Sequence, residues 1–105
     1  MLDGTIPAIR KALARADLTM EDIDIWEVNE AFASVPIATR DTVGFEDERM
    51  NVNGGAIALG HPLGMSGARL ITTMLHEMER KDLHRGLATL CTGFGMGVAT
   101  IIERL

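Results

Sequence analysis

A run of glycine and proline in the middle of the chain limits what it can fold into. From Asn51 to Gly64 the sequence reads Asn-Val-Asn-Gly-Gly-Ala-Ile-Ala-Leu-Gly-His-Pro-Leu-Gly, and five of these fourteen residues are glycine or proline. Glycine carries the largest entropic cost of ordering and proline removes a backbone donor, so regular helix is disfavoured here. Directly afterwards Ser66 reads as an N-cap. Leu70, Ile71, Met74, Leu75 and Met78 then recur at helical spacing, which predicts an amphipathic helix to about Lys81. Arg80 and Lys81 suit the negative end of that helix.

The flanking segments supply the other layers. Thr5 reads as the cap of a helix to about Ala16, with Pro7 in its first turn and Ile6, Ile9 and Leu13 on one face. Thr19 to Asp22 has the pattern of a capped single turn. Asp24 to Val28 is a short apolar run with a tryptophan, the signature of a buried strand. A helix is predicted from near Glu30 to Thr42, with Pro36 either in its first turn or kinking it. Gly44 to Arg49 reads as a polar connection. After Gly86, Leu87 to Cys91 and Val98 to Ile102 read as two antiparallel strands joined by a glycine-rich turn. The alternation of helix and strand predicts an α/β layered arrangement.

The chain has 105 residues and an apolar fraction of 47%, enough for one small core. A net charge of -5 argues against nucleic acid or an anionic membrane as the main partner. No apolar run reaches the ~20 residues of a membrane span. The N-terminus does not read as a signal peptide, and the final Glu103-Arg104-Leu105 is not a peroxisomal address. A single cysteine rules out an internal disulfide and fits a reducing, cytoplasmic compartment.

Three stretches can carry chemistry. His61 lies between Gly60 and Pro62, where glycine lets a substrate approach the backbone closely. The ring precedes a predicted helix N-terminus, which disfavours a cationic imidazole, so a neutral ring could accept a proton or donate to an oxyanion. An isolated loop histidine is more often a structural hydrogen-bonding group; the density of glycine around His61 favours chemistry. Cys91, the only cysteine, ends a strand and enters Thr92-Gly93-Phe94-Gly95. It is either a small core residue or an acid–base thiol facing glycine amides. Asn29 follows the first strand and is either a turn residue or the holder of a catalytic water, and spacing does not choose between them. Phe32 reads as core or pocket wall. His76 and His84 stand apart, so no metal-ligand spacing exists. The glycines match neither a phosphate loop nor a dinucleotide fingerprint.

Together, Asn29-Glu-Ala-Phe32, Gly60-His61-Pro62 and Cys91-Thr-Gly93-Phe-Gly95 resemble the C-terminal part of a thiolase, over nearly the whole chain. The resemblance implies the C-terminal half of the layered α-β-α-β-α thiolase fold, a mixed sheet with covering helices, with residues 1–105 forming part of that domain. It implies that His61 activates a nucleophilic cysteine and lines one oxyanion hole, and that Asn29 holds the water completing it. Cys91 would shuttle the α-proton, the Gly93 amide would serve a second oxyanion hole, and Phe32 would contact substrate. The implied reaction is acyl transfer between coenzyme A thioesters, with coenzyme A as substrate and no tightly bound cofactor. A homo-oligomer is implied for the full-length form. The family's nucleophilic cysteine, its N-terminal half, its loop domain and the first elements of its C-terminal half have no counterpart in this sequence. Met1 is therefore expected to fall inside a domain, and the chain alone to fold poorly and be inactive. The glycine-rich turn also faintly echoes ketoacyl synthases, although Cys91 favours thiolase. A non-catalytic module or a partner complementing an N-terminal half is the remaining alternative.

Overall fold

The computed structural model describes residues 4–105. The expected position of Met1 inside a domain lies outside the described residues. Helix α1 (Thr5–Ala16) is followed by strand β1 (Ile25–Val28), helix α2 (Ser34–Val43), the single-turn helix α3 (Ala56–Leu59), helix α4 (Ser66–Arg80) and strands β2 (Arg85–Thr92) and β3 (Met96–Glu103). The sheet order is β1-β2-β3. Strand β1 runs parallel to β2, with Ile25 opposite Gly86 and Val28 opposite Thr89. Strand β3 returns antiparallel, with Cys91 opposite Gly97.

Each face of the sheet carries its own core. On one face Ile9 and Leu13 of α1 and Val35 of α2 pack with Trp26, Val28 and Leu87. On the other, Leu70, Met74 and Met78 of α4 pack on Ile25 and Ala88. The stripe read in α4 is thus its buried face, although Leu75 lies at its margin and is 40% exposed. Helices on both faces explain why all four residues of β1 are buried. Gly86 belongs to β2, and its bare α-carbon lets α4 sit close. A Cβ there would lie 2.5 Å from the Met74 sulfur and 2.9 Å from that of Met78.

Several local expectations hold and several are corrected. The turn Met20–Asp22 is capped as read, the Asp22 carboxylate accepting from the Thr19 amide at 2.8 Å. Thr5 does not cap α1: Gly4 occupies that position, and the Thr5 hydroxyl is buried against Thr39 Oγ1 at 2.6 Å. Ser66 is not an N-cap either; Met65 precedes it, and Ser66 is the first helical residue. Helix α2 begins at Ser34 rather than near Glu30, with Pro36 in its first turn. The Gly44–Arg49 connection is only partly polar, because Phe45 is buried and stacks on Trp26, centroids 4.1 Å apart. The glycine-rich run stays irregular except for the one turn of α3.

Candidate functional site

Parallel strands place their carboxyl ends side by side, and side chains leaving those ends face a common crevice. Asn29 stands at the carboxyl end of β1. Its amide continues the ladder by donating to the Thr89 carbonyl at 2.9 Å, and its side chain is fully buried. His61 reaches the same place from the loop, turned in by Gly60 at φ +98°. Its Nε2 lies 3.3 Å from Asn29 Nδ2. On the other side of the ring, Nδ1 lies 2.5 Å from the Ser66 hydroxyl, which itself donates to the Pro62 carbonyl at 3.3 Å. These donations form one consistent chain. Ser66 gives its proton to Pro62 and accepts Nδ1–H, which leaves the Nε2 lone pair toward the asparagine amide. The imidazole is held as a base with its Nε2 directed at the strand end. Asn29 Oδ1 is buried without a partner among the described residues. Such an oxygen is costly unless something donates to it.

Cys91 lies at the same end of the sheet, two residues beyond Thr89 on β2. Its thiol is free and half-buried against the core beneath α1. Among the described residues no hydrogen bond joins it to Asn29 or His61, so only those two are brought into direct contact. Gly93 is exposed in the β2–β3 turn. There Phe94 and Gly95 both take positive φ, +65° and +75°. A left-handed phenylalanine costs about 1 kcal/mol, and its ring is 93% exposed. Phe32 is 62% exposed in the turn before α2, which removes the core alternative for it. His76 and His84 are exposed and distant in role, His76 bonding only its own helix through Thr72 O.

Two buried carboxylates frame the site's supporting structure. Glu27 is fully buried on the α4 side of β1 and pairs with Arg69 at 3.3 Å, while its Oε2 has no partner among the described residues. Burial pushes its carboxyl up to about 7, against the pull of Arg69. Glu77, 2% exposed, is held down to about 2, first by the Asn53 amide and then by Arg80 and Lys81. Glu77 lines a cleft of about 250 Å³ with Asp24, Arg49 and Lys81 at the amino ends of the strands. An apolar groove of about 120 Å³ lies between Leu70 and Val98. Neither is lined by Asn29, His61 or Cys91. Among the described residues no three His, Cys, Asp or Glu side chains converge as a metal site, and no helix is long and apolar enough to cross a membrane.

Sequence reasoning located Asn29, His61 and Cys91 but missed Ser66 as a ring partner. The available signal was a hydroxyl five residues past the histidine at a helix start, and it reads equally well as a cap. Residues 1–104 match the family described as Thiolase, C-terminal domain. The chain is 56% identical over 102 residues to acetyl-CoA acetyltransferase of Escherichia coli (strain K12), covering 97% of this chain and 26% of that protein. It is 54% identical over 105 residues to 3-ketoacyl-CoA thiolase of Shewanella denitrificans, covering 97% and 27%. The crystal structure of the Bacillus anthracis acetyl-CoA acetyltransferase superposes with a TM-score of 0.95 at 45% identity, over 99% of this chain and 26% of that one. The chain spans about a quarter of the length of these relatives.

Proposed function

Because the chain belongs to the thiolase C-terminal domain family, we propose that it supplies the Asn–His–Cys part of an acyl-transfer site for coenzyme A thioesters. The reaction is thiolysis of a 3-ketoacyl-CoA or the reverse condensation. The observation that carries this reading is the hydrogen-bonded series Asn29–His61–Ser66, with a basic Nε2 and an unpartnered Asn29 oxygen at one point. In thiolysis a thiolate attacks the 3-keto carbon, with His61 taking the thiol proton. His61 and a water held by Asn29 Oδ1 stabilise negative charge on the thioester oxygen. The Cα–Cβ bond then breaks, its electron pair stays on Cα, and the Cys91 thiol protonates that carbon. Coenzyme A thiol next attacks the acyl-enzyme; Cys91 takes its proton, the Gly93 amide stabilises the tetrahedral oxyanion, and collapse of that intermediate breaks the bond to the enzyme sulfur, whose thiolate leaves and recovers its proton from His61. Phe32 contributes an exposed apolar wall for the substrate.

Cys91 is the only cysteine in the sequence, so the acylated thiol comes from a thiolase N-terminal half. The chain alone is then inactive. A single free cysteine supports a reducing, cytoplasmic setting. A second reading, a complementing partner without chemistry of its own, is favoured by exposed apolar side chains around the histidine loop: Ile57 at 68%, Leu59 at 55% and Leu63 at 85%. Thiolysis of acetoacetyl-CoA, assayed with the chain alone and with a thiolase N-terminal half added, separates the two. We expect turnover only with the added half, abolished by His61→Ala. Stable association without turnover would overturn the catalytic reading in favour of the second.

A further inference from the structure

The histidine loop is tied to the sheet by side chains that the reaction itself does not use. Asn51 opens the loop and behaves like an extra strand residue along β1. Its Oδ1 accepts from the Val28 amide at 2.8 Å and its Nδ2 donates to the Val28 carbonyl at 2.8 Å. Its own amide donates to the Trp26 carbonyl at 2.9 Å. A left-handed backbone at Asn51, φ +49°, allows this, since asparagine tolerates that region better than most residues.

Glu30 completes the attachment further along. Its Oε1 accepts from the Ile57 amide at 3.1 Å, and its Oε2 accepts from Asn51 Nδ2 at 3.3 Å. The carboxylate lies against the bare α-carbon of Gly55, where a Cβ would overlap it. Gly55 has φ -136°, so its side-chain hydrogen is demanded by space and not by backbone conformation. Asn29 and Glu30 are consecutive. One reaches the imidazole, the other the loop four residues before it, so both contacts start from the same strand end.

We propose that Glu30 is a positioning residue for the Asn29–His61 pair, fixing the loop's distance from β1 through Ile57 and Asn51. That the positioned pair performs acyl transfer rests on the reading above; the positioning does not. Charge-assisted acceptance from two donors gives a more rigid tether than neutral bonds, and a displacement of about 1 Å at a reacting group costs on the order of 100-fold in rate.

The test uses the 105-residue chain labelled with ¹⁵N-histidine and bound to an unlabelled thiolase N-terminal half, read by imidazole NMR, with His61 identified by the signal lost in His61→Gln. Wild type should show a fixed Nδ1–H tautomer for His61, unlike the exposed His84; His76, whose Nδ1 donates to the Thr72 carbonyl, serves as a second Nδ1–H reference. Glu30→Ala should give His61 the averaged tautomer of the exposed His84, while Glu30→Gln, which still accepts from Ile57, should keep much of the bias. Gly55→Ala tests the same tether with the carboxylate present and should also release the ring. It applies even if Glu30→Ala fails to fold. In complemented thiolysis, Glu30→Ala should lower kcat on the order of 10- to 100-fold with little change in KM. An unchanged His61 tautomer in both Glu30→Ala and Gly55→Ala, or a wild-type ring already averaged, would overturn the proposal. Complete inactivity of every variant, wild type included, with the NMR differences intact would overturn the acyl-transfer reading and leave the positioning standing.

Discussion

At the scale of single residues, the state of His61 is decided by its neighbours. Ser66 holds Nδ1 and Asn29 faces Nε2, so the ring has a defined donor side and acceptor side. Removing the hydroxyl leaves Nδ1 without its partner and lets the ring rotate or exchange tautomers. Ser66→Ala is expected to lower kcat of the complemented enzyme on the order of tenfold, with KM nearly unchanged. A pH–rate profile that coincides with wild type after this substitution would show that the hydroxyl does not govern the base. His61 stood out as a candidate because the glycine density around it is hard to explain by packing, whereas Asn29 and Cys91 became candidates through the resemblance of their motifs to those of thiolases. Their arrangement was not legible in the sequence. The bond between Asn29 and His61 joins residues 32 apart, and no local pattern encodes it. Thr5 and Ser66 were misread for the same reason. Each hydroxyl satisfies a side chain outside its own helix, Thr39 in one case and the loop's His61 in the other, where a local rule expects a cap.

At the scale of elements, the parts read correctly are those whose periodicity is enforced by a core. The stripe of α4 buries one side, β2 is a continuous apolar run because Leu87 and Ala88 face opposite cores, and β3 alternates, so each pattern survives in the sequence. Helix α2 starts later than its pattern suggests because residues 29–33 are committed to the site: Asn29 and Glu30 both send side chains to the histidine loop. Phe45 was hidden in a polar stretch because one buried aromatic against Trp26 leaves no period. The seating of α4 on β2 depends on Gly86. Gly86→Ala should destabilise the chain by about 1–3 kcal/mol, because Met74 and Met78 are fully buried and have little space to yield. Denaturant unfolding would detect it, and an unchanged midpoint would mean that the two thioethers repack freely.

At the scale of the whole molecule, two buried carboxylates act on stability in opposite directions. The Glu27 carboxyl rises from 4.5 to about 7 on folding. Between those values the folded chain keeps a proton that the unfolded chain has lost, so stability falls as pH rises through that window. Glu77 is lowered from 4.5 to about 2. Its contribution is present above 4.5 and disappears as pH falls toward 2. Glu27→Gln should therefore flatten the decline between pH 5 and 7, a difference of up to about 3 kcal/mol at neutral pH. Thermal unfolding across that range would measure it, and parallel curves for the two proteins would show that Arg69 fully compensates the buried charge.

The attachment of the histidine loop has a consequence for how the site can vary. Asn29, Glu30, Asn51 and His61 are all fastened to β1 or to one another. Cys91 is carried by the β2–β3 hairpin and shares only the sheet's register with them. The hairpin is therefore held separately from the histidine loop, its Gly95 and Met96 carbonyls packed against the bare α-carbon of Gly4. Replacing its Thr92–Met96 turn with another of equal length would retune the surroundings of the thiol while the imidazole kept its partners. On the roles proposed for Cys91 and His61, proton transfer at carbon and activation of the nucleophile would then vary separately.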